Sequence, residues 1–72
     1  MTQGYLAIGG DWAAKAEILI DDHSYGFAPK RLALPLGVHR VTLVLTDGTR
    51  VGPRALDITA LHTARNPMRF SR

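Results

Sequence analysis

Apolar residues recur at every second position through most of this chain. Leu6 and Ile8 share one face of a first segment, and Ala16, Ile18 and Ile20 share a face of a second, with Glu17 and Asp21 opposite. Leu32 and Leu34 form a third pair. Val41, Leu43 and Leu45 line a fourth segment, with Arg40, Thr42 and Thr46 on the other side. Leu56 and Ile58 mark a fifth, and Met68 and Phe70 a sixth. A period of two puts one face of each segment inward and the other in solvent, which is the pattern of half-buried β-strands. Helical spacing is weaker everywhere. The segment 11–19 holds good helix formers and is the only plausible helix, but Ile18, Leu19 and Ile20 pull its end toward strand. Turn residues interrupt the chain at short intervals: Gly9-Gly10, Asp21 to Ser24, Pro35 to Gly37, Asp47-Gly48, Gly52-Pro53 and Asn66-Pro67. The pattern predicts a single all-β domain over residues 1–72, a small sandwich of about five to six short, mostly antiparallel strands.

The hairpin around Asp47-Gly48 can be read for register. A two-residue turn would set Leu45 against Arg50 and Val41 against Arg54, placing two arginines on the apolar face, which is costly. A three-residue loop from Asp47 to Thr49 pairs Leu45 with Val51. One extra residue at Gly52-Pro53 then sets Val41 against Leu56 and His39 against Ile58. Gly and Pro are the residues expected at such an irregularity, so a bulge or break is predicted at 52–53.

Composition narrows the picture. A chain of 72 residues has little core to draw on. It has no cysteine, so neither disulfides nor thiolate metal sites support it. No apolar run approaches the roughly 20 residues that span a bilayer, so membrane insertion is not expected. The start lacks the basic and continuous apolar character of a signal peptide. The chain as given therefore reads as cytoplasmic, or as envelope-associated if it belongs to a larger exported protein. The net charge of +3 is unevenly spread: residues 1–29 sum to −3 and residues 30–72 to +6. A basic half can mark an anionic partner. Here the basic residues stand singly between apolar ones, which also fits solvated strand faces.

Candidate chemistry is sparse. His23, His39 and His62 have no metal-ligand spacing, and Asp21-Asp22-His23 reads as a polar turn. His39 alternates with Val41 and Leu43 and is expected to pack at a sheet edge. No nucleophile elbow surrounds Ser24. Gly9-Gly10 is too short for a phosphate loop and lacks the following lysine. No catalytic residue, metal, cofactor or small-molecule substrate is assigned. The aromatics offer more. Trp12, Tyr25 and Phe27 fall in predicted turns, where exposed rings can form a contact patch or cap the core, and Phe27 lies near Lys30 and Arg31. These five residues are the candidate partner-binding set.

Three patterns in order resemble a known family. They are Ala16-Glu17-Ile18-Leu19-Ile20-Asp21-Asp22, then Gly26-Phe27-Ala28-Pro29, then Leu34-Pro35-Leu36-Gly37-Val38-His39-Arg40-Val41 followed by a strand and Asp47-Gly48. Together they resemble the PEGA domain, a small β-rich module of bacterial and archaeal proteins. In that family a Pro-Glu-Gly-Ala turn leads into a strand ending Ile-Asp-Gly. A Gly-x-x-Pro turn and Leu-x-x-Gly-x-His-x-Val follow. Here Ala13-Ala14-Lys15-Ala16 stands at the first turn, so only the final Ala agrees, and Asp22 replaces the Gly. The resemblance implies an accessory, non-catalytic module of cell-envelope proteins or of proteins that also carry kinase or other domains. Its role would be protein–protein interaction, with a heterologous partner or by self-association. The rival expectation is a small basic β-barrel binding nucleic acid or another polyanion.

Overall fold

The computed structural model describes residues 3–70. It contains seven strands: β1 (Gln3–Ile8), β2 (Glu17–Ile20), β3 (His23–Phe27), β4 (Lys30–Pro35), β5 (Gly37–Val44), β6 (Arg50–Ile58) and β7 (Met68–Arg69). The fold is all-β, as the alternation predicts. One sheet has the order β4-β1-β7 and the other β3-β2-β5-β6. Every pairing is antiparallel except that of β1 with β7.

The predicted inward faces are the ones that pack. Leu6, Ile18, Ile20, Leu34, Leu43 and Ile58 are fully buried, and residues from both sheets form one shared core. Leu45 and Leu56 pack against its margin. No buried side-chain N or O atom among the described residues lacks a hydrogen-bond partner.

Four details differ from the sequence reading. The segment 11–19 is not a helix. Asp11–Ala13 make a single 3-10 turn, and β2 begins at Glu17. Lys15 lies at φ 63, which takes the backbone out of any helical run. The strand count is seven, because residues 23–27, read as turn, are extended and paired with β2. Tyr25 and Phe27 therefore sit on a strand. The β5–β6 register also differs. The loop has three residues but starts one earlier, because the Leu45 N–H donates to the Thr49 carbonyl at 2.8 Å. Leu43 thus pairs with Val51, and beyond the irregularity Val41 pairs with Arg54 and His39 with Leu56.

The predicted bulge is present, with Gly52 and Pro53 between those two registers. Gly52 has φ +107, and a Cβ built on it would lie 2.7 Å from the Val41 carbonyl oxygen. Only glycine suits that position. The inward arginine that the sequence reading rejected is accommodated at the core margin. The Arg54 guanidinium carbon lies 4.8 Å from the centroid of the Phe70 ring. A long aliphatic stem and a cation–π contact remove most of the expected cost.

Candidate functional site

β3 has no apolar alternation and is exposed along most of its length. Its order comes from pairing. Ile20 faces His23, Leu19 faces Ser24 and Glu17 faces Phe27, with a register shift between the last two pairs. The Ser24 hydroxyl donates to the Glu17 carboxylate at 2.9 Å across this ladder. Gly26 has φ +99 within the irregular stretch. Lys30 folds back from β4, and its ammonium donates to the Tyr25 carbonyl at 2.7 Å. The strand therefore gathers three of the five candidate residues: Tyr25, 38% exposed, Phe27, 64% exposed, and Lys30.

The other two candidates lie elsewhere. Trp12 stacks on Phe70 with ring centroids 6.1 Å apart and planes 25° apart, and it packs against the core. It caps the core and contributes nothing to the β3 rim. Arg31 pairs with Ala7 of β1, which pairs on its other side with Arg69 of β7. Ala7 alternates with the buried Leu6 and Ile8, so the row Arg31–Ala7–Arg69 crosses the outward face of the three-stranded sheet.

An open cleft of about 690 Å³ begins at this row. Lys30, Arg31 and Arg69 supply its charge, Gly9 and Gly10 form part of its rim, and Phe70 and Ile8 lie beneath. Among the described residues no carboxylate lines it. A smaller hollow of about 270 Å³ lies against the four-stranded sheet, where Asp21 and Asp22 face Arg40 and Arg50. The sequence reading missed Arg69 and the glycines as neighbours of Lys30 and Arg31. Only the pairing of β1 with both β4 and β7 brings them together.

His39 sits on β5 where that strand is paired with β6 alone, because the ladder with β2 ends at Val41. It lies just beyond the end of β2, and its ring is mostly covered. Nδ1 is 2.7 Å from the Asp21 carboxylate and Nε2 is 2.8 Å from the Pro35 carbonyl. Both partners only accept, so the pair of bonds is satisfied in full by the doubly protonated ring and favours that form. The bond to Asp21 raises the His39 pKa above its ordinary value, against the opposing effect of partial burial. The Arg40 backbone N–H donates to the same carboxylate at 3.0 Å. That bond, and then the bond from His39, lower the Asp21 pKa. With every polar atom of the ring engaged, His39 braces the β4–β5 connection and is not poised for proton transfer or metal binding.

No family model matches this chain, and no curated protein or solved structure matches it either.

Proposed function

We propose that this protein is a non-catalytic binding module that recognises a protein partner through the β3 rim. The observation that carries this reading is Phe27, a large apolar side chain left 64% exposed on an edge strand beside Tyr25 and Lys30. Two aromatic anchors next to a cation are a composition favoured at the energetic centre of protein interfaces. The PEGA-like residues support the same reading. Gly26 to Pro29 run from the end of β3 through the β3–β4 connection, and Leu34 to Val41 span the β4–β5 connection. The first motif shapes the turn at the rim, the second the turn at the other end of β4, and neither supplies a reactive group. A cell-envelope setting is part of this proposal, resting on the resemblance alone.

Recognition at this rim works through side chains and not through strand addition. Lys30 already occupies the Tyr25 carbonyl, and the irregularity at Tyr25–Gly26 interrupts the edge. The remaining edges are blunted as well. β6 carries the Gly52-Pro53 bulge, β4 ends at Pro35, and β7 is two residues long. Edge-to-edge self-association is therefore disfavoured, and the partner is a different protein.

Immobilised protein and its Phe27→Asp variant, used to capture partners from source-cell lysate alongside light scattering, test the reading. The expected result is a monomer at all concentrations and a captured protein that Phe27→Asp loses while an Arg65→Gln control retains it. Equal capture by wild type and Phe27→Asp would remove the rim from consideration. A concentration-dependent dimer abolished by Phe27→Asp would make the partner a second copy of this chain.

A further inference from the structure

We propose that the cleft between the end of β1 and the start of β4 binds a compact polyphosphate anion, held by Arg31, Arg69 and Lys30. This site shares Lys30 with the aromatic rim, but Arg31 and Arg69 lie outside that rim, and the site does not depend on the reading given to it.

Charge is the first argument. Among the described residues the cleft is lined by three cations and no carboxylate. Neither Arg31 nor Arg69 has an ion-pair partner among the described residues. The other charged hollow mixes aspartates with arginines and so offers an anion no such field. Three cations in one cleft suit a ligand that concentrates negative charge. A phosphoryl group brings close to two charges and three acceptor oxygens, more than a carboxylate does. The planar guanidinium fork also matches phosphate oxygens in pairs.

Geometry is the second argument. Arg31 and Arg69 stand on opposite sides of Ala7, two strand spacings or about 10 Å apart at their Cα atoms. Both point to the same face. The methyl group of Ala7 leaves the space between them open, so the two side chains flank it. Lys30 lines the same cleft from the neighbouring β4 position, opposite Ile8, and adds its positive charge there while its ammonium stays bonded to the Tyr25 carbonyl. At Gly9 and Gly10 the rim carries no side chain. The volume, about 690 Å³, suits a small ligand.

The lining also discriminates among phosphate sources. Strands that bind single-stranded nucleic acid present exposed aromatics on which bases stack. The one aromatic lining this cleft, Phe70, is only 4% exposed and lies under Arg54 and against Trp12. The exposed aromatics Tyr25 and Phe27 line no part of this cleft. The cleft recognises the phosphates and not a base, which favours a free polyphosphate.

Calorimetric titration of the whole protein with inorganic triphosphate tests this, with orthophosphate and a thymidine oligonucleotide as comparison probes. Triphosphate should bind more tightly than orthophosphate and weaken steeply between about 50 and 200 mM salt. Arg31→Gln and Arg69→Gln should each weaken it by about tenfold or more. Arg65→Gln removes the same charge from an exposed loop and should leave binding within about twofold. Amide shifts on titration should concentrate at Gly9, Gly10, Lys30 and Arg31, a readout that needs no variant. An absence of triphosphate binding at low salt, or an equal loss in Arg65→Gln, would overturn the proposal. Binding confined to the oligonucleotide and growing with its length would overturn the assignment to a compact ligand.

Discussion

The two sheets treat their polar groups differently. On the four-stranded sheet the carboxylates Glu17 and Asp21 are matched internally, Glu17 by Ser24 and Asp21 by both His39 and the Arg40 backbone. On the three-stranded sheet Arg31 and Arg69 face outward with no carboxylate in ion-pair range among the described residues. Matched groups serve the fold, because a hydrogen bond already made is not available to a ligand. Unmatched cations add little to stability and leave a field that an outside anion can satisfy. Substitutions on the first sheet should thus move stability, whereas substitutions on the second should move binding alone.

The largest expected effect is at the bulge. Gly52→Ala forces a Cβ toward the Val41 carbonyl at a φ that L-residues avoid. It should cost about 3 kcal/mol in denaturant titration. A neutral result would show that the β5–β6 register can slip, undoing the structural role of the four-stranded sheet. Asp21→Asn comes next. It weakens the bonds from His39 and Arg40, and it should cost about 1 kcal/mol near pH 5.5, a modest figure because the carboxylate is half exposed.

The same pair predicts a pH window. The raised pKa of His39 contributes stability that is fully present below the ordinary value of 6.5 and is lost as pH rises through the folded value. The lowered pKa of Asp21 contributes stability that is present above its ordinary 3.8 and is lost as pH falls through the folded value. Melting temperature should therefore peak between those limits, and Asp21→Asn should flatten the profile. An unchanged profile in the variant would detach His39 from the stability of the β4–β5 connection.

Smaller still, Ser24→Ala should cost a few tenths of a kcal/mol through the exposed bond to Glu17. The smallest effect belongs to the other sheet. The Arg31→Gln, Arg69→Gln double variant should melt within about 0.5 kcal/mol of wild type. A large destabilisation there would show that the arginines serve the fold and would erase the contrast between the sheets.

Much of the architecture is legible in the sequence because burial has a period. Leu6, Ile18, Leu34, Val41 and Ile58 each fall on the inward face that alternation assigns them. β3 is not legible, since His23–Phe27 buries almost nothing and leaves no periodic trace. Its pairing, not its composition, makes it a strand. The β5–β6 register was misread for a physical reason. An arginine on the inward face looks prohibitive until the Phe70 ring lies close enough to receive it. Of the candidate site, the Tyr25–Phe27–Lys30 group lies within six residues and is visible as a local cluster. The cationic cleft draws on Gly9, Arg31 and Arg69 through pairings distant in sequence, and no local pattern announces it.

The position of β1 has a consequence for how the molecule is made. Leu6 meets Leu32 on one side and Met68 on the other, so the strand that precedes its sheet partners in the chain is the middle of its sheet. It acquires one neighbour only when β4 has been made and the second only when β7 has. The β2–β5–β6 ladder can assemble in the meantime, because its hairpin is local. Completion of the three-stranded sheet is then a late, long-range closure, of the kind that slows β-rich chains. Until that closure the apolar edge of Leu6 and Ile8 has no lid, and the nascent chain is at its most vulnerable to neighbours.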